Sequence, residues 1–359
     1  MDSVHLELAR GRHWHASRRL AALYPDGPGG DGELTLLFAK AESGWRNWPG
    51  VRRLLEGSLA SGEINGVDAW YLLGRALEGQ GLWLEADSVY TRILAMGAGP
   101  QPLDEAEVRA RRSRLRGRLG RYQEALADLA EVMEMDRAVA NWMALDVARW
   151  AAGDGAREET RMALSLVGDE EVRQLGWDLM PASLLAAGDS TGAEAAYWSA
   201  LPSLSDPSRL AEAWDRVGVL RLARGDSSGA KGAFHGVLRA SNSGLSGVRA
   251  AEHLLALGFD SVGAALAGAR ALAGAGRHDD ALRAYAEYEG LSHSPPSGSV
   301  QLARARSHLN LGQGGRALAL VEDLVGSDDQ DLGAPALALQ GLALRQLGRG
   351  GEVRAVQDE

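Results

Sequence analysis

The stretch Trp70–Leu94, WYLLGRALEGQGLWLEADSVYTRIL, decides how this chain is to be read. Trp70, Leu73, Gly74 and Leu77 fall at i, i+3, i+4 and i+7, which places them on one face of a helix. Gly81 then interrupts, and Ala86, Tyr90, Ile93 and Leu94 form a second stripe. The spacing predicts two amphipathic helices facing each other across a short turn. Helices joined this way cross closely, so small residues are expected at the crossing, Gly74 on the first helix and Ala86 on the second. Trp70 and Tyr90 are expected to fill the space above and below that contact.

The pattern recurs. In WDRVGVLRLARGDSSGAKGAFHGVL, Trp214, Val217, Gly218, Gly225, Ala230 and Phe234 occupy the same places. Looser copies are marked by Gly120, Tyr122, Ala125 and Leu129; by Trp177, Gly188, Ala193 and Tyr197; by Gly276, Ala281 and Tyr285; and by Gly312, Ala317 and Val321. Trp142 with Gly153 marks a degenerate one. The position of the second-helix alanine reads Ala16, Pro49, Ala86, Ala125, Glu158, Ala193, Ala230, Ala281, Ala317 and Val353 along the chain. Most steps lie between 33 and 39 residues. Pro49 and Glu158 depart from the small residue expected there, so their hairpins should pack differently. The long step from Ala230 to Ala281 holds SGVRAAEHLLALGF, whose Val248, Ala251, Leu254, Leu255 and Leu257 read as one extra helix.

This grammar resembles the tetratricopeptide repeat, whose period is about 34 residues. The resemblance implies an all-α fold, a right-handed superhelical solenoid of about ten helical hairpins with one inserted extra helix. It implies a single continuous helical-repeat domain over residues 1–359. Within it lie irregular hairpins at 1–57, the clearest repeats at 67–132 and 174–240, the extra helix at 246–259 and C-terminal repeats at 262–359. Such a solenoid acts as a non-catalytic scaffold that binds a protein or peptide on its concave face. The first-helix positions that the family turns inward correspond here to Tyr71 and Arg75, Arg114 and Arg118, and Met143 and Trp150. These mix aromatic, apolar and cationic character on consecutive hairpins, as a peptide groove requires.

Composition narrows the alternatives. A 45% hydrophobic content excludes global disorder, and no apolar run is long enough to span a membrane. A net charge of -10 argues against nucleic acid as a partner, since counterion release at phosphates needs a clustered basic surface. Cysteine is absent, which removes disulfides, thiolate nucleophiles and thiolate metal sites. The opening MDSVHLELARGRHW has neither the basic nor the apolar region of a signal peptide, so the expected location is cytoplasmic, or periplasmic if a signal was removed. Val353 and Val356 would extend an apolar stripe with nothing to cover it, and the chain is expected to be part of a longer protein.

Two features compete with the scaffold reading. Arg109, Arg111, Arg112, Arg114, Arg116, Arg118 and Arg121 crowd one helix, either as an anion site or as a solvated face; the solvated face is favoured, with Glu105 and Glu107 giving i,i+4 support to Arg109 and Arg111. Trp70, Trp142, Trp177 and Trp214 are expected to be core, whereas Trp45 and Trp48 flank a turn and are the better candidates for a partially exposed aromatic surface, with packing between repeats still the favoured role.

Catalytic signatures are missing. There is no phosphate loop, dinucleotide fingerprint, HExxH or nucleophile elbow. His13 and His15 point in opposing directions on a helix, and Asp328, Asp329 and Asp331 lack the glycine and terminal glutamate of a calcium loop, so neither a metal nor any other cofactor is expected. The run AESGWRNWPGVRRLLEG and hairpins ending AAGD, ARGD or GAGR also resemble the N-terminal superhelical region of bacterial soluble lytic transglycosylases. That resemblance implies an accessory module acting on peptidoglycan through a catalytic domain absent from this chain. Glu42-Ser43 matches the family's Glu-Ser pair, but no GLMQ-like segment follows, so no catalytic role is carried onto Glu42.

Overall fold

One backbone conformation sets every hairpin. Gly11, Arg46, Gly81, Gly120, Gly155, Gly188, Gly225, Gly276, Gly312 and Gly348 hold left-handed backbone with φ between 65 and 85° at helix C-termini. The residue after each donates its N–H to a carbonyl five positions back, as Leu82 does to Leu77 at 3.0 Å and Arg121 to Arg116 at 2.8 Å. This closes the first helix and aims the chain into the second.

The computed structural model describes residues 1–97, 104–241, 243–327, 329–349 and 351–352, among which no strand occurs. The chain divides into two compact units, Met1–Asp189 and Ser190–Glu359. The first begins with α1 (Asp2–Ala9) and α2 (His13–Leu23), α3 (Gly32–Gly44) and α4 (Trp48–Ser61), and α5 (Val67–Gly79) and α6 (Trp83–Met96). It continues with α7 (Glu105–Arg118) and α8 (Tyr122–Met135), α9 (Arg137–Gly153) and α10 (Arg157–Ser165), the short α11 (Glu170–Gln174) and α12 (Leu179–Ala186). The second unit contains α13 (Ser190–Ala200), then α14 (Pro207–Ala223) paired with α15 (Ser227–Ala240), and α16 (Gly244–Leu257). It then runs through α17 (Val262–Gly274) with α18 (His278–Leu291), α19 (Gly298–Asn310) with α20 (Gly314–Val321), and α21 (Gln330–Gln346).

Counting from the left-handed residue gives a common register. Five positions after it, at the fourth residue of each second helix, stand Ala16, Val51, Ala86, Ala125, Thr160, Ala193, Ala230, Ala281 and Ala317, all with 0% exposure. Pro49 and Glu158 are therefore not in that position: both lie in the first turn of their helices, and Val51 and Thr160 fill the place. Thr160 is tolerated there because its hydroxyl donates to the Ala156 carbonyl at 2.7 Å. Seven positions before the turn, the first helices bury Ala39, Gly74, Ser113, Ala148, Gly218, Ala269 and Ala305. Large side chains one turn beyond the second-helix position, such as Tyr90 and Phe234, complete each hairpin core.

The inserted helix is present as α16, which buries Ala250, Ala251 and Leu254 between α15 and α17. Trp70, Trp177 and Trp214 share a register eleven residues before their turns and are half-buried. Trp142 does not share it. Ala144 takes that place before Gly155, and Trp142, two residues upstream, turns outward and is 54% exposed, against the expectation of a core residue. Trp48 packs over Gly79, as favoured, whereas Trp45 is exposed. Val353, Val356 and Asp328 lie outside the described residues.

Candidate functional site

In the first unit, α5, α7 and α9 enclose a groove of about 320 Å³. Two N-caps start its walls: Asp104 accepts the N–H of Ala106 at 3.0 Å, and Asp136 accepts those of Ala138 and Val139 at 3.0 and 3.1 Å. Glu78, Glu107, Arg111, Arg114, Val139 and Met143 line the groove.

Its floor is a closed polar network. Arg111 reaches Glu78 at 3.1 Å, Glu107 at 2.9 Å and the Tyr71 hydroxyl at 3.2 Å. Tyr71 donates to Glu107, Tyr90 donates to Glu78 at 3.1 Å, and Arg75 approaches the Tyr71 oxygen at 3.4 Å. Burial pushes the Tyr71 phenol above its ordinary value, and its hydrogen bond to Glu107 adds to this. Burial alone would raise Glu107, but the hydrogen bonds from Tyr71 and Arg111 outweigh it and hold the carboxyl below the usual range. Burial would likewise weaken the charge on Arg111, yet the surrounding phenols and carboxylates raise its pKa further. Every member therefore has a partner, and the floor is rigid.

The mouth is different. Arg114 is 44% exposed and its nearest carboxylate, Asp146, is 3.7 Å away. Val139 is exposed, and Met143 is half-buried beside it. Of the residues expected from the sequence, Arg114 and Met143 line the groove, and Tyr71 and Arg75 belong to the network at its α5 side. Arg118 and Trp150 do something else. Arg118 stacks between the rings of Trp83 (4.9 Å) and Trp150 (5.5 Å). The Trp150 ring lies against Gly117, and its carbonyl accepts the Tyr122 hydroxyl at 3.2 Å. Both pack one hairpin on the next. Glu78 and Val139 were not singled out in the sequence, and Glu107 and Arg111 only as an i,i+4 pair; they stand 3, 16, 13 and 9 residues before their turns, so no shared repeat position marks them.

The arginine-rich helix α7 is not a solvated face. Arg112 and Arg116 turn inward to Asp128, which is 3% exposed, with Arg116 2.9 Å from it, and Arg116 also meets Asp87 at 2.9 Å. The support from Glu105 and Glu107 to Arg109 and Arg111 is present at 2.8 and 2.9 Å. Glu42 accepts hydrogen bonds from Ser17 on α2 and, at 2.5 Å, from Asn47 before α4, so it is held where one hairpin meets the next. Among the described residues no group of three His, Asp or Glu side chains could hold a metal ion, and no helix is long and apolar enough to cross a membrane.

The fold is tetratricopeptide-like. No protein-family model matches the chain and no curated protein matches it. Solved structures do. The pentatricopeptide repeat protein PPR10 from maize matches 99% of this chain over 53% of its own, at 18% identity and a TM-score of 0.43. The present chain thus spans about half the length of that protein. The apo form of RapI matches 97% of this chain over 97% of its own, at 10% identity and a TM-score of 0.42. The TPR domain of P58(IPK) matches 92% over 93%, at 17% identity and a TM-score of 0.27.

Proposed function

We propose that the chain is a non-catalytic helical-repeat scaffold that binds a protein or peptide across its first helices, with the α5–α7–α9 groove as a contact. One observation carries this reading. A rigid floor whose charges are mutually satisfied opens to a mouth of Val139, Met143 and Arg114, which pairs apolar surface with an available cation. Recognition needs such a combination, and a fully paired floor leaves no carboxylate free to move a proton. The peptidoglycan-module alternative places its chemistry in a catalytic domain outside this chain, and neither a described side chain nor a comparison supports it.

Selection of a displayed random peptide library on the whole chain tests the reading. Peptides should be enriched, and Val139→Glu/Met143→Glu should abolish their binding with the helical content unchanged. Enriched peptides that bind this variant as well as the parent would remove the groove from consideration.

A further inference from the structure

The register defined by the left-handed turns exposes a pattern that the groove alone does not. Six residues before each turn stand His5, Lys40, Arg75, Arg114 and Arg149 on α1, α3, α5, α7 and α9, followed by Ala182 on α12. The second unit has Val219, Arg270, Arg306 and Leu342 there. Lysine and arginine make up 38 of 359 residues, about one in nine, yet they fill six of these ten positions. Composition alone does not produce this.

Two local explanations fall short. The position lies before the last turn of its helix, where the helix dipole has little effect on a cation. Ion pairing does not account for it either, because Arg75, Arg270 and Arg306 have no carboxylate within ion-pair distance among the described residues, whereas Arg75 instead lies over Trp48 and Tyr71. Lys40 meets Asp68 at 3.0 Å, Arg149 meets Asp146 at 3.2 Å and Arg114 meets Asp146 at 3.7 Å, but these three basic side chains are 44–46% exposed and their pairs are open to exchange.

In the first unit the row is continuous from α3 to α9. Lys40–Asp68 joins α3 to α5, Tyr71–Glu107 joins α5 to α7, and Arg114–Asp146 joins α7 to α9. α3 packs on α5 and α7 on α9, where packed helices stand about 8–10 Å apart, and the Tyr71–Glu107 bond carries the row from α5 to α7. An extended chain advances about 3.3 Å per residue, so every third residue repeats at about 10 Å. We propose that this row binds an extended acidic segment of a protein, with a carboxylate at every third residue and an apolar side chain seated over Val139 and Met143. The proposal rests on the reading of this face as a partner-binding surface and names the partner's chemistry. Asp68, Glu107 and Asp146 stand between the cations and oppose a polyanion charged at every unit, such as a nucleic acid strand; a segment with spaced carboxylates avoids them.

The test is fluorescence anisotropy on the whole chain with a labelled peptide of repeated Glu-Ser-Leu triplets. The peptide should bind, and Arg75→Ser/Arg114→Ser/Arg149→Ser should weaken it by about tenfold or more, as expected for lost charge-assisted pairs. Lysine at Arg114 and Arg149, with Arg75 kept because it lies over Trp48 and Tyr71, should restore binding to within about threefold of the parent, which separates loss of charge from loss of fold. A peptide of the same composition with its glutamates contiguous should bind more weakly than the triplet repeat, and oligouridylate should not compete. Absent binding, equal binding by the serine variant, equal binding of the contiguous peptide, failure of the lysine rescue, or displacement by oligouridylate would each overturn the proposal. Library-selected peptides lost in Val139→Glu/Met143→Glu but retained in the serine variant would leave the groove standing and the acidic partner refuted. Retention in both variants would refute both.

Discussion

The ring of Tyr90 occupies the space that a side chain on Gly74 would need: a Cβ there would stand 2.7 Å from Cε1 of Tyr90. Gly218 repeats the relationship with Phe234, at 2.5 Å. The first-helix glycine is thus a socket for the aromatic of the second helix. Gly74→Leu or Gly218→Leu should destabilise by about 1–3 kcal/mol through overpacking. Gly57→Ala, in α4 with nothing within 4 Å, should instead stabilise by up to about 1 kcal/mol. Thermal melts followed by circular dichroism compare the three, and unchanged melting of both leucine variants would refute the socket.

Arg46 holds the turn conformation that glycine holds in the other hairpins, with φ 65°. A side chain in left-handed backbone is strained, whereas glycine adopts it freely. Arg46→Gly should therefore raise stability by about 1 kcal/mol in urea denaturation, read as a higher midpoint with an unchanged slope. A lower midpoint would mean that Arg46 makes a compensating contact.

Asp128 is the shared partner of Arg112 and Arg116 inside the first unit. Asp128→Ala leaves the largely buried Arg112 without its carboxylate and Arg116 with Asp87 in its place, which should cost about 3–5 kcal/mol. Replacing the exposed Glu158, paired only with Arg161 on the surface, should change stability by less than about 1 kcal/mol. Equal effects of the two substitutions in chemical denaturation would contradict the buried network.

Tyr90 predicts an alkaline limit. Burial, and after it the Glu78 carboxylate, raises the folded-state pKa well above the ordinary 10.0. The stabilising difference is complete below pH 10 and is lost as the pH climbs from there towards the folded-state value, because the unfolded phenol ionises first. The slope is about 1.4 kcal/mol per pH unit for one group. Tyr90→Phe should flatten the fall in stability above pH 10 by that amount, although it starts lower for want of the hydrogen bond to Glu78 at 3.1 Å. Parallel pH profiles for parent and variant would show that Tyr90 does not set the limit.

Much of the fold was legible because helix periodicity and turn glycines are local signals. Trp70, Gly74, Gly81, Ala86 and Tyr90 stand within one hairpin, and the extra helix fell within a few residues of α16. Register failed at Glu158, where Gly153 was read as the turn instead of Gly155, and at Pro49, where the local marker is missing. Arg46 hides the third-helix turn, so the following hairpin was phased on Pro49 rather than Val51. The site was legible in part for the same reason. Arg114 and Met143 follow from repeat position, but Arg118 is claimed by Trp83 from the preceding hairpin. The inward turn of Arg112 and Arg116 depends on Asp87 and Asp128 on neighbouring helices, and no single-helix pattern reports that.

The interval from turn to buried position is five residues in each hairpin, while the distance between successive buried positions varies from 33 to 51. Length change is thereby tolerated in the connectors and forbidden inside the hairpins. A deletion of one residue between Gly81 and Ala86 would rotate the second helix by about 100° and bring a different face to the core. A cut in one connector and a rejoining in the next would remove or duplicate a whole hairpin with every remaining side chain still in phase. Such a chain can change its reach by unequal exchange between its own copies without passing through a misfolded ancestor.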